Sequence, residues 1–247
     1  MEYPHLSRAP IVEGLIDILV KPRSDLTFAA LFRLSEKLKS KYPEVKALHT
    51  IQADVQIDQS QKASQSVATA LVGYRLERKD LPFVVMLRVN GLTISRLKPY
   101  DDWNNLLEEA KPIWDEYVSI CRPEVITRVA TRYINRIELP VEGLDFDDYL
   151  AAPPRIPKNL GEMLSEFLVR LVVPDVPSGA IIALVQALEG PNIEKSTIPV
   201  IIDIDVFKAV ELDLSSNELW ELLGTMRDLK NQAFFGSITP KTLELLK

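Results

Sequence analysis

The chain has 247 residues, with 29 Lys+Arg against 35 Asp+Glu, a net charge of −6; 47% of it is hydrophobic and 26% charged. This composition can bury a sizeable core and excludes a wholly disordered chain, and the negative balance argues against a general binder of nucleic acid or anionic membrane. A single cysteine, Cys121, excludes an intrachain disulfide; with no leader-like start and no apolar stretch near the roughly 20 residues of a membrane helix, a cytoplasmic location without a membrane partner is expected.

Residues 10–20 are apolar and β-branched and predict a strand. Asp25 suits an N-cap for a helix over about 26–42, in which Phe28, Leu31, Phe32, Leu34 and Leu38 recur at helical spacing before Pro43 stops it. Residues 46–58 alternate, with Ala47, His49, Ile51, Ala53, Val55 and Ile57 on the apolar face. Strands follow at about 68–78, 83–90 and 92–97, the last two joined by a tight turn expected at Asn90-Gly91. A long helix over about 101–121 carries an apolar face from Trp103 to Cys121, and Pro112 is expected to kink or split it.

A long strand over 125–139 opens the remainder. Short helices are expected at 145–150 and about 160–167, and strands near 167–173, 180–189 and 198–210. Ser215-Ser216-Asn217-Glu218 reads as a capping box opening a helix to about Asn231, and Thr239-Pro240 as the start of a last short one. The element order therefore predicts an α+β fold of two similar β-α-β(3-4)-α halves, 1–124 and 125–247, which can join as one continuous domain. The halves either duplicate one unit or are unrelated stretches. An antiparallel sheet with helices packed on one face is expected, leaving the other face free. Residues 1–139 carry a charge balance of +2 and residues 140–247 one of −8. Surface drift explains this, or two faces of opposite sign suited to self-association as a dimer or to a charged protein partner.

No glycine-rich nucleotide motif, no G-x-S-x-G elbow and no His or Cys metal spacing is present, so no catalytic residue, cofactor or metal ligand is assigned. Cys121 reads as a core thiol. His49 reads as a packed residue or a pocket residue. Arg128, Arg132 and Arg136 share one face of their strand, about 13 Å apart in succession, where they can grip phosphates or carboxylates, form a solvated sheet face or pair with acids across the sheet. Val129, Thr131, Tyr133 and Ile137 face the other way, with Asn135 as the polar exception. Asp203 and Asp205 share a strand face and can do acid–base or metal chemistry or sit opposite the arginines. Arg88 and Arg96 read as surface charge.

Three stretches carry a resemblance: Arg8-Ala9-Pro10-Ile11-Val12-Glu13 at the start, Arg132-Tyr133-Ile134-Asn135-Arg136-Ile137 at the centre, and Phe234-Phe235-Gly236-Ser237-Ile238-Thr239 at the end. They resemble the signatures of a sporadically distributed family of uncharacterised bacterial proteins. The scattered distribution implies accessory genes, such as defence or toxin–antitoxin loci, and brings no catalytic residues. The expected function is thus a non-enzymatic binding or interaction protein, with Arg128, Arg132, Tyr133, Asn135, Arg136, His49, Asp203 and Asp205 as binding candidates. Two alternatives stand: a small-molecule-binding protein or enzyme with a pocket between sheet and helices, and nucleic-acid binding through the arginine face.

Overall fold

In the computed structural model, residues 3–57, 63–157, 159–160 and 164–247 are described, with backbone alone over 51–57 and 63–68. Strand β1 (Ile11–Lys21) leads to helix α1 (Phe28–Leu38), then strands β2 (Glu44–Ile57), β3 (Ala63–Glu77), β4 (Phe83–Arg88) and β5 (Gly91–Leu97), and helix α2 (Trp103–Cys121). Strand β6 (Val125–Pro140) is followed by α3 (Phe146–Tyr149), β7 (Leu168–Asp175), β8 (Ala180–Leu188), β9 (Thr197–Leu212), α4 (Glu218–Ser237) and α5 (Pro240–Leu245).

The nine strands form one antiparallel sheet in the order β2-β3-β4-β5-β1-β6-β9-β8-β7. Side-chain alternation splits it into two unlike faces. Ile16, Ile18 and Val20 of β1, Leu92 and Ile94 of β5, Val129, Tyr133 and Ile137 of β6, and Val200 to Val206 in steps of two on β9 turn one way and are buried. Helices α1, α2 and α4 pack on that side, giving one apolar core that runs through both halves of the chain. Each fully buried aliphatic side chain in it contributes about 2 kcal/mol relative to exposure. The chain is thus a mixed α+β protein, and among the described residues no helix is long and apolar enough to cross a membrane.

The elements differ from expectation where tertiary context decides. Helix α2 runs unbroken through Pro112; Pro112 and Glu108, whose carbonyl loses its partner, both lie on the exposed side, where the carbonyl is open to solvent. The hairpin turn is Val89-Asn90, and Gly91 already belongs to β5, paired with Arg88. Gly91 has φ +145°, and a Cβ there would meet the Ile18 carbonyl oxygen at 2.2 Å, so the glycine serves a close approach to β1 as much as the turn. Helix α4 passes Asn231 and ends only at Ser237. Its cap Asn217 makes no side-chain bond, while Ser216 Oγ accepts from the Glu218 amide, so the capping box is not formed. Thr239 caps α5 as expected, accepting from the Thr242 amide. The short helix expected over about 160–167 falls partly outside the described residues, and 160 and 164–167 are not helical.

Candidate functional site

The arginine ladder stands on the face without helices, and the register explains what it does there. Arg132 lies opposite Asp205 and Ile134 opposite Asp203, which sets Asp203 and Asp205 beside the ladder. Arg132 donates from Nε to Asp203 at 2.8 Å. Arg128 reaches Asp17 at 3.1 Å and Asp205 at 3.5 Å and covers the Phe207 ring at 4.6 Å. Asp17 also accepts from Arg88 and Thr93, so Arg88 belongs to this network rather than to free surface. Arg136 pairs with Glu138 and, at 2.9 Å, with Glu189. Partial burial pushes the Asp205 carboxyl up, and the Arg128 and Arg132 charges pull it back. Every arginine of the ladder is therefore paired with an acid, Arg128 and Arg132 across strands, and Arg136 with Glu138 of its own strand and Glu189 just past β8.

Two further readings are corrected. His49 is exposed; it sits on β2, the outermost strand, whereas α1 packs mainly on β3 and β4, so alternation alone does not bury it. Arg96 is 2% exposed on the helix-bearing side; it donates to Asp101 at 2.6 Å and lies over Phe83, with Nε and one amino group left without a partner among the described residues.

The polar groups that converge lie on the helix side, where the two halves meet. A cavity of about 440 Å³ opens there, walled by the N-terminal segment from Tyr3 to Ile11, the start of α2, β6 and α4. Tyr133 and Asn135 enter from β6. Tyr133 is 1% exposed, and its hydroxyl shares a 2.7 Å hydrogen bond with that of Tyr100. Burial raises Tyr100 to about 12 and Tyr133 well above 10, so both hydroxyls stay protonated at neutral pH. Asn135 is buried and donates to the Ile202 carbonyl at 2.9 Å, which fixes its amide. The N-terminal segment is tied down by Arg8 N–H to the Leu246 carbonyl and by Tyr3 stacked on Phe235 at 4.6 Å.

Lys230 of α4 completes this wall. It is 8% exposed, and its Nζ lies 3.8 Å from the centre of the Tyr133 ring. It makes no ion pair among the described residues, and burial, aided by Arg227, lowers its pKa to about 7 against the weaker pull of Asp228. Neither Lys230 nor Tyr100 is a candidate on sequence grounds above. The signal for the lysine is a polar residue at a core position of the series Leu219, Leu223, Met226, Lys230, Phe234. Tyr100 has none, being brought in by the loop before α2. Of the eight sequence candidates, only Tyr133 and Asn135 line this cavity; Arg132, Asp203 and Asp205 stand on the opposite face.

A larger hollow of about 630 Å³ lies between α1 and the end of α2. Its Arg23 and Lys37 are spent on Asp25 and Glu116, and burial lifts the Cys121 thiol beside it to about 12. That thiol is unreactive at neutral pH. Among the described residues, no group of three or more His, Cys, Asp or Glu is arranged to hold a metal ion.

No protein-family model matches the chain, and no curated protein matches it.

Proposed function

We propose that the protein binds a small organic molecule in the cavity at the seam. The observation carrying this reading is Lys230, an amine almost fully buried, without an acidic partner among the described residues, at the wall of a cavity of about 440 Å³. Burying such a group costs stability unless something pairs with it, and a bound ligand would do so. Cavities of roughly 300–1,000 Å³ suit metabolite-sized molecules. The family resemblance supports the same location, because Ala9 and Ile11, Tyr133 and Asn135, and Phe234 and Phe235 come from its three segments and all line this cavity. We also read the halves as copies of one unit: β5, β4 and β3 follow outward from β1 as β9, β8 and β7 follow outward from β6, with α2 packed on β5 and α4 on β9. The cavity then belongs to the join between copies.

A thermal-shift screen of organic acids, carbonyl compounds, amines and nucleosides tests the reading. A ligand at 100 times its Kd adds about 2.7 kcal/mol to the folded state. The shift should disappear in Asn231→Trp, which fills the cavity. A screen in which nothing raises the melting temperature would sink it.

A second reading, a self-associating interaction protein, is favoured by β7. This strand ends the sheet, and Leu168 (71% exposed), Leu171, Val172 and Val173 are all exposed on it. An apolar edge strand with unpaired backbone invites another strand, and an antiparallel edge is self-complementary about a two-fold axis. We expect the protein to sediment as a dimer at micromolar concentration and Leu171→Lys as a monomer. A monomeric wild type would count against this reading.

A further inference from the structure

We infer that Lys230 is a nucleophile which condenses with a 2-oxo acid held in the seam cavity, forming an imine. This rests on the cavity reading above and adds the chemical class of the ligand. An amine reacts with a carbonyl only in its neutral form, and the surroundings of Lys230 favour that form. The carboxylates nearby are engaged elsewhere: Asp101 pairs with Arg96, and Asp102 caps α2 by accepting from the Asn105 amide. Asp228 lies on α4 itself, where its contact is Arg227 at 3.7 Å. His5 comes from the N-terminal segment and Arg227 from one turn before Lys230. With burial holding its pKa near 7, about half of the Lys230 amine is neutral at pH 7, against about 0.04% of an ordinary exposed lysine.

The same wall carries the other groups the reaction needs. The lone pair of Nζ attacks the carbonyl carbon, forming the C–N bond, and the carbonyl π electrons move to oxygen. That oxygen needs a proton donor. In the Tyr100–Tyr133 pair one hydroxyl donates to the other, which leaves the second O–H free to donate. Attack leaves two protons on the nitrogen: one returns to the tyrosine oxygen and restores its hydroxyl, and the other joins the departing hydroxyl as the C–O bond breaks, releasing one water and leaving the neutral C=N bond. No oxidant or reductant is consumed. Arg227 lines the same cavity, and a guanidinium is matched to a carboxylate. Lys230 with Arg227 one turn before it thus fits a molecule with its carboxylate next to its carbonyl, which is a 2-oxo acid.

The test is reductive trapping on the full chain at pH 7. Pyruvate or phenylpyruvate is added with sodium cyanoborohydride, and modified lysines are mapped by peptide mass spectrometry. Lys230 should be labelled at least about tenfold faster than exposed Lys39 and Lys195, as its larger neutral fraction dictates. Acetone, which lacks the carboxylate, should label it more slowly than pyruvate, and Arg227→Gln should narrow that difference. The adduct should vanish in Lys230→Arg and fall in Asn231→Trp. If labelling is confined to exposed lysines while pyruvate or another probe still raises the wild-type melting temperature, the imine is overturned and the cavity reading stands. If no probe labels Lys230 and none raises the melting temperature, both are overturned. Equal labelling by acetone and pyruvate removes the 2-oxo acid as the ligand class.

Discussion

A Lys230→Met variant is expected to be more stable than the wild type at pH 7, by about 2 kcal/mol or more. Lys230 has a pKa of 10.5 in the unfolded chain and about 7 in the folded one, with burial as the main cause. Between those values the unfolded chain keeps a proton that the folded chain gives up. Stability of the wild type therefore rises with pH from 7 toward 10.5, by at most about 1.4 kcal/mol per unit. Below pH 7 both states are protonated and the penalty is complete. Methionine keeps an unbranched side chain one atom shorter and removes the charge. Denaturant unfolding of both proteins at pH 7, 8 and 9 checks this: the wild type should gain about 2 kcal/mol on the variant across the series. The buried thiol and tyrosines titrate alike in both proteins and drop out of the difference. Parallel pH curves, or a variant weaker at pH 7, would show that the amine is not held at a cost.

That cost was partly visible in the sequence. The strands and helices were legible because their periods are unambiguous: 125–139 alternates, and 103–121 repeats every three to four residues. The sequence leaves open whether the arginine ladder pairs with Asp203 and Asp205, and only the register β6–β9 sets them side by side. Asn135 stood out as polar on an apolar strand face, and it does turn into the cavity. Lys230 breaks the apolar stripe of α4 in the same manner, but a helix expected to stop near Asn231 hides the stripe's continuation to Phe234. His49 misled because alternation shows which residues share a face, not whether a layer covers it. Tyr100 and the N-terminal wall owe their places to contacts across long stretches of chain, Tyr100 with Tyr133 and Arg8 with Leu246. No local pattern encodes those.

Gly14→Val is expected to cost about 3 kcal/mol and to damage the cavity with it. Gly14 lies on β1 directly opposite Tyr133 on β6. A Cβ at this position would stand 2.7 Å from Tyr133 Cε1 and 2.8 Å from Tyr100 Cε2, and valine adds two methyl groups beyond it. Both rings are held by their contacts. Tyr133 is buried, the rings meet edge to face at 5.4 Å, and their hydroxyls are bonded to each other. The glycine thus acts by leaving space for two rings from opposite halves of the chain, and those rings form the surface over which Lys230 lies. Gly224→Ala is the control, since a Cβ there meets nothing within 4 Å and a helical glycine gains about 0.5–1 kcal/mol on becoming alanine. Denaturant unfolding should rank Gly224→Ala above wild type and Gly14→Val well below it, and any ligand-induced thermal shift should weaken in Gly14→Val at temperatures where it remains folded. A Gly14→Val protein as stable as wild type would mean that the tyrosine pair can move aside, and the wall beneath Lys230 would then be adaptable rather than fixed by the packing of the two halves.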